Sequence, residues 1–185
     1  MKSGKYNSTN VDNLDQKEID SQIRGDTLMV GLDVAKTKEY AALGDETGKE
    51  YCVINWKHPF GSRRFADSVD ELKPSSVQIV MEPTGSYGDP LRYLAYQRGW
   101  EVWRMAPKRV HDSKEVMDGV PSIHDAKAAH ILLWLHRQGL TERWPPRGAS
   151  RRKIRTLTRR LSRLQKDWQR QLGYLESEMA RYWPE

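Results

Sequence analysis

Cysteine is nearly absent from this 185-residue chain, and phenylalanine occurs twice. A lone Cys52 closes no internal disulfide, and no Cys–His spacing suits a zinc site. The chain must therefore hold itself by packing, as suits a reducing cytoplasm. No run of about 18 apolar residues occurs, so no membrane span is expected. The N-terminus lacks the apolar core of a signal peptide, and residues 1–25 read as a polar, weakly ordered leader. Acid is missing from one place in particular. Residues 151–170 carry nine Lys or Arg against one Asp. The last fifteen residues are net acidic and the whole chain carries +6, so residues 1–150 are balanced. All the excess positive charge lies in one stretch, which points to phosphate rather than to a merely solvated helix face.

What the chain does contain is an alternation of short apolar runs with helical periods. Leu28–Val34 reads as a buried strand, and Glu39–Gly44 with Tyr51–Trp56 as a hairpin around the turn residues Asp45–Gly48. Ser62 is placed to cap a helix running to about Leu72, ended before Pro74. Val77–Met81 is a further strand. A helix capped by Asp89, with Pro90 behind it, stops at Gly99. Trp100–Ala106 is the fifth strand, a polar loop follows, and Ile123–His136 is helical. This order predicts an α/β domain over residues 26–143: a mixed five-stranded sheet with flanking helices, the order of the RNase H-like (RuvC-like) fold. Trp100 and Trp103 fall on opposite strand faces, and Trp134 falls among the apolar residues of its helix. Residues 144–148 read as a linker. Beyond it, Ile154, Leu157, Leu161, Leu164 and Trp168 alternate steps of three and four, and Leu172, Leu175, Met179 and Tyr182 continue them. Residues 149–185 are thus expected to be a long basic helix of coiled-coil type whose seam needs a partner, such as a second copy joined through residues 149–183.

Three carboxylates stand out. Asp33 sits in an apolar strand, where a lone charge is costly unless paired, protonated or metal-bound. Glu82 directly follows another apolar strand. Asp125 opens an amphipathic helix. Each has an ordinary reading: a satisfied strand-end acid, a carboxylate bonding the Thr84-Gly85 backbone, and an acid in a first helical turn near a capping pattern at Ser122. In an RNase H-like sheet, however, the strands bearing Asp33 and Glu82 are neighbours, and the helix can bring Asp125 over the same edge. Carboxylates at close range repel unless divalent cations neutralise them. Oxygen-only ligation suits Mg²⁺ or Mn²⁺, the ions of phosphodiester cleavage.

At these residues the sequence also resembles a known family. Gly31-Leu32-Asp33-Val34-Ala35-Lys36 and Met81-Glu82-Pro83-Thr84-Gly85-Ser86-Tyr87 are similar to two signature segments of the insertion-sequence one-ten family of DEDD-type transposases and Piv/MooV-like recombinases. Asp118–Lys127 sits where that family has its third signature, and the similarity covers about residues 28–140. The resemblance implies a RuvC-like domain with an Asp-Glu-Asp-Asp metal site, then a coiled coil, then a domain with a catalytic serine. It also implies DNA cutting and rejoining, in some members directed by a structured RNA. Asp33, Glu82 and Asp125 carry over as metal-site residues. The family's remaining acid does not, because Ser122 stands there. Either Asp118 replaces it from the loop or the site uses three carboxylates. Ser150, Ser162 and Ser177 lie in or beside the arm and are poor nucleophiles, so the serine domain is expected to be absent from this chain.

The expected contacts to nucleic acid are Lys36, Lys108, Arg109 and Lys127 near the site, and Arg151, Arg152, Arg155, Arg159 and Arg163 on the arm. His124 beside Asp125 is a candidate for proton transfer or an ordinary surface histidine. Two function classes follow. One is the metal-dependent DNA-cleaving domain of a transposase. The other is a binding and oligomerisation module of the same fold that does not cleave, which Ser122 favours. In both, DNA is the partner and the location is cytoplasmic.

Overall fold

The computed structural model describes residues 6–23, 26–83, 85–122, 124–146 and 148–183. Of the quoted motif residues, Thr84 and Ile123 lie outside these, as do the side chains of Ala149 and Arg152. The chain forms two units, residues 1–145 and 146–185.

The first unit is built on β2 (Thr27–Asp33), β3 (Lys38–Asp45), β4 (Glu50–Lys57), β5 (Ser76–Met81) and β6 (Glu101–Arg104). In the sheet they stand in the order β4-β3-β2-β5-β6. β3 is antiparallel to both its neighbours, whereas β2, β5 and β6 run parallel. The β5–β6 crossover passes through α3 (Asp89–Gln97). A meander of three followed by two parallel strands on the far side of the first is the RNase H-like arrangement, with α1 (Gln16–Gln22), α2 (Ser62–Glu71), α4 (Pro107–Asp112) and α5 (Asp125–Arg137) around it. The sheet has seven strands rather than the expected five. β1 (Ser8–Asn10) pairs in parallel with β4, and β7 (Glu142–Arg143) pairs antiparallel with β6. Both are too short to carry the period-two signal of a strand.

The expected polar leader is also corrected. Residues 8–22 hold β1, a 3₁₀ turn and α1, and Val11 and Ile19 enter the main core. Their apolar residues are sparse, so no period shows in the sequence. α4 likewise replaces part of an expected loop, with Pro107 at its start and Val110 buried. α3 begins with Asp89 and Pro90 inside the helix, and Gly88 takes the cap position expected of Asp89. Trp144 is tied to the first unit rather than free in a linker. Its N–H donates to Val102 O at 2.7 Å, its carbonyl accepts the Tyr96 hydroxyl, and Arg92 lies over its ring.

Strand alternation divides the core. Leu28, Val30 and Leu32 face α2 and α3, where Trp56 stacks on Phe65 and Trp100 meets Phe65 edge-on. Met29 and Gly31 face α5. A Cβ on Gly31 would lie 2.2 Å from Ala129 O and 2.6 Å from Leu133 N, so only glycine lets α5 approach so closely. Ala42 on β3 and Ala126 and Ala129 on α5 complete this small-residue contact. Trp103 and Trp134 are partly buried, packed against the cluster of Val80, Ile131, Leu132 and Leu135. Among the described residues no helix is long and apolar enough to cross a membrane.

The second unit is α6 (Ala149–Tyr182), a single helix of 34 residues. Within it, Ile154, Leu157, Leu161, Leu164, Trp168, Leu172, Leu175 and Met179 are all exposed.

Candidate metal and nucleic-acid site

β2 and β5 are in parallel register with Leu32 opposite Met81. The next step along both strands brings Asp33 beside Glu82, on adjacent strands at their carboxyl ends. Both follow the parity of the face toward α5: Asp33 lies two residues after Gly31, and Glu82 two residues after Val80. α5 runs against these strands. Gly31 meets Ala129 and Leu133, while Gln78, four residues before Glu82, accepts through Oε1 from His136 Nε2 at 2.9 Å. One turn before Ala129 is Asp125, the first residue of α5. Two strand residues and one helical turn each advance roughly 6 Å, so the helix start arrives where Asp33 and Glu82 end their strands.

The electrostatics agree. Burial first, then the charges of Asp125 and Glu82, push the Asp33 carboxyl up to about 7. Burial also raises Glu82. Asp125 itself is exposed. Among the described residues, no three His, Cys, Asp or Glu side chains are close enough as placed to hold a metal ion. Asp33 feels the other two without the three being drawn together. Their chemistry nevertheless fits a hard divalent cation: oxygen donors only, one of them a half-buried carboxylate whose ionisation its surroundings oppose.

Two expected residues are placed elsewhere. Lys127 is not an exposed contact for phosphate. It is 1% exposed, and its ammonium donates to Asp118 Oδ1 at 2.7 Å, Val120 O at 2.7 Å and Ser122 O at 3.0 Å. Asp118 is correspondingly not a spare ligand. The Lys127 bond, with further help from Val120 N–H and the Tyr6 hydroxyl, holds its carboxyl down at about 2. By sequence Lys127 reads as an exposed base near the site; the loop folding back over it is a tertiary fact that the sequence pattern does not carry. Ser122 is exposed. His124, not Ser122, caps α5, its Nδ1 accepting Lys127 N–H at 3.3 Å.

Lys36, Lys108 and Arg109 are exposed around the same end of the sheet. Arg109 donates to Leu140 O at 2.7 Å. Next to Glu82, Pro83 lines a cavity of about 330 Å³ with Arg104, Met105, Pro107, Arg109, Leu140 and Glu142. Arg104, paired there with Glu142 at 2.6 Å, was not anticipated from sequence; its place at the end of a strand parallel to β5 is the signal that marks it. On α6, Arg155, Arg159, Arg163 and Lys166 share one exposed face with Thr158 and Ser162. Arg151 is exposed as well.

Against solved structures, the chain is similar to Thermus thermophilus RuvC in complex with a Holliday junction substrate. The identity is 12% and the TM-score 0.45, over 64% of this chain and 99% of that one. It is similar also to a second Thermus thermophilus RuvC structure, at 13% identity and a TM-score of 0.45, over 63% of this chain and 99% of that one. No curated protein matches it. The decisive match is to a family: residues 30–184 fit the DEDD transposases of the insertion-sequence one-ten (IS110) type, and the chain belongs to that transposase family.

Proposed function

We propose that this chain supplies the metal-dependent strand-cleaving centre of its transposase. Asp33, Glu82 and Asp125 are the residues that would hold Mg²⁺ or Mn²⁺. The observation that carries this reading is the paired strand ends of β2 and β5 beneath the start of α5, with Asp33 raised by burial and by its two acidic neighbours. When bound, a divalent ion supplies charge neutralisation and activation of a water or hydroxyl for attack on a phosphodiester. The chain's own part is to present oxygen donors at one sheet edge and to line that edge with cations. Lys36, Lys108 and Arg109 are the candidates to meet backbone phosphates there, and Arg151, Arg152, Arg155, Arg159 and Arg163 to meet DNA or a structured guide RNA along α6. The exposed seam of α6 is proposed to join copies of the chain over residues 149–183. A cytoplasmic location fits these partners.

The test is DNA nicking by the full chain with Mg²⁺ or Mn²⁺, comparing wild type with Asp33→Asn, Glu82→Gln and Asp125→Asn. Each variant is expected to lose cleavage while keeping its circular dichroism spectrum and its binding to DNA. Wild-type cleavage by Asp33→Asn would overturn the assignment. A second reading, a non-cleaving module that grips nucleic acid, is favoured by Ser122 and by the engagement of Asp118 with Lys127. It predicts a wild-type chain that binds DNA and nicks it with neither metal.

A further inference from the structure

The segment that delivers Asp125 has no helix or strand of its own between Asp112 and Asp125 among the described residues. Yet it is tied down by a buried charge. An ammonium has three donors and no acceptor, and all three of those on Lys127 are used: one on the Asp118 carboxylate and two on the carbonyls of Val120 and Ser122. The backbone N–H of the same residue satisfies His124, the cap of α5. Asp118 accepts Val120 N–H through Oδ1 at 2.9 Å and the Tyr6 hydroxyl through Oδ2 at 2.8 Å. Tyr6 comes from the far N-terminus. Its ring stands edge-on to His124 at 5.2 Å and to His130 at 5.3 Å, and packs on the cluster of Ala126, Ala129 and Leu133.

A charge buried to this degree is costly unless paired and fully bonded. Here the Lys127 ammonium is saturated and Asp118 accepts three hydrogen bonds, and everything they bond to belongs to the segment before Asp125 or to Tyr6. The Ser122 carbonyl is fixed three residues before Asp125, so little slack is left at the helix start. We infer that Tyr6, Asp118 and Lys127 form a positioning clamp that sets where α5 begins, and so where the Asp125 carboxylate stands relative to Asp33 and Glu82. This rests on the reading of those three as a metal site. It assigns Asp118 and Lys127 a role distinct from metal ligation and from phosphate contact. Their groups are occupied, and Lys127 has no surface to offer.

The experiment uses the full chain with Tyr6→Phe, Asp118→Asn, the double variant and Asp33→Asn. Two quantities are read: Mn²⁺ affinity by titration calorimetry, and hydrogen exchange of the amides of residues 125–129 in metal-free protein. Tyr6→Phe keeps the ring and removes one hydrogen bond, so it reports on the clamp without endangering the fold. Tyr6→Phe and Asp118→Asn should each speed exchange at the start of α5 and weaken Mn²⁺ binding, by about 10-fold for Asp118→Asn. The double variant should be no worse than Asp118→Asn alone, because the two act through one contact. Asp33→Asn should abolish Mn²⁺ binding and leave exchange at α5 unchanged. If Asp33→Asn binds Mn²⁺ like wild type, the metal-site reading fails, and with it the clamp's purpose. If Asp33→Asn abolishes binding while Tyr6→Phe and Asp118→Asn keep wild-type affinity and exchange, the clamp alone fails. If Asp118→Asn abolishes binding and Tyr6→Phe changes neither quantity, Asp118 is a ligand and the clamp is wrong.

Discussion

Gly31→Ala is the substitution that most directly tests how the fold builds the site. Alanine is an acceptable strand residue, so the backbone of β2 gives no reason for a large effect. The reason is steric. The added methyl would lie 2.2 Å from Ala129 O, 2.6 Å from Leu133 N and 2.9 Å from Leu133 Cβ. Ordinary contact needs roughly 3.4 Å, and two of the three obstacles are helix backbone, which no rotamer change can move. α5 must therefore retreat by about 1 Å along its contact with β2, opening the cluster of Ala42, Val53, Ala126, Ala129 and Leu133. Overpacking a well-filled core costs about 1–3 kcal/mol when side chains can adjust. With backbone in the way, a loss of at least about 3 kcal/mol is expected. For a domain of this size that lowers Tm by roughly 6–12 °C.

The assay is urea unfolding of wild type, Gly31→Ala and Gly48→Ala. Gly48 has a φ of +99° and nothing within 4 Å of an added Cβ, so its substitution isolates backbone strain at about 1 kcal/mol. Gly31→Ala should cost clearly more than Gly48→Ala. A second readout follows from geometry. Retreat of α5 carries Asp125 away from Asp33, so the Asp33 carboxyl should titrate below its wild-type value of about 7. A Gly31→Ala loss under about 1 kcal/mol, with Asp33 unchanged, would refute the close-packed helix and the placement of Asp125 that depends on it.

Other outcomes follow from the same structure. Folding raises the Asp33 carboxyl from 3.8 to about 7, so the native state binds that proton more tightly than the unfolded chain. The group therefore costs no stability below about pH 4, and its cost grows as pH rises to about 7. Asp33→Asn should accordingly stabilise the metal-free protein at pH 8 by up to about 4 kcal/mol, and not at pH 4; equal Tm shifts at both would contradict this. His136 behaves in the opposite sense. Burial holds it down at about 4, so the stability it contributes is full above about pH 6.5 and is lost as pH falls toward 4, a slope His136→Gln should flatten in acid unfolding. On α6, replacing Arg155, Arg159 and Arg163 by Glu should remove most DNA binding with helicity intact, and the wild-type log–log salt slope should be about −4 if four or five phosphates are met. Leu161→Asp with Leu164→Asp should dissociate an oligomer in sedimentation; a wild-type chain already monomeric at high concentration would defeat the seam as an interface.

The central sheet was legible because its information is local. The short apolar runs Leu28–Val34 and Val77–Met81, and turn residues between β3 and β4, mark strands without reference to anything distant. The order of those strands then places Asp33 beside Glu82, and the observed register agrees. What could not be read was set by contacts across long sequence separations. β1, α1 and β7 have too few apolar residues to announce themselves, and they exist because edges of the sheet and the core around Val11 and Ile19 receive them. Lys127 looked like a solvated base because three acceptors that bury it lie in a loop with no periodic pattern.

That last difference changes how the departure at Ser122 is weighed. With only the sequence, Asp118 offers itself as a replacement acid, and the site has a fourth donor in reserve. In the folded chain Asp118 is bound to Lys127 and Tyr6, and Ser122 contributes its carbonyl to the same ammonium rather than an acid to the edge. On the proposed reading, the acids left to hold a cation are Asp33, Glu82 and Asp125. Fewer charged donors lower affinity for divalent ions, and water must complete the coordination of a six-coordinate ion such as Mg²⁺. Ser122→Asp therefore separates the two functional readings. If the three carboxylates form a working but weakened site, the added acid should lower the Mn²⁺ concentration needed for half-maximal nicking without creating a new dependence. If the wild-type chain never cleaves, Ser122→Asp should convert a binding module into a nuclease. A variant that neither binds Mn²⁺ more tightly nor cuts would show that position 122 does not face the carboxylates at all.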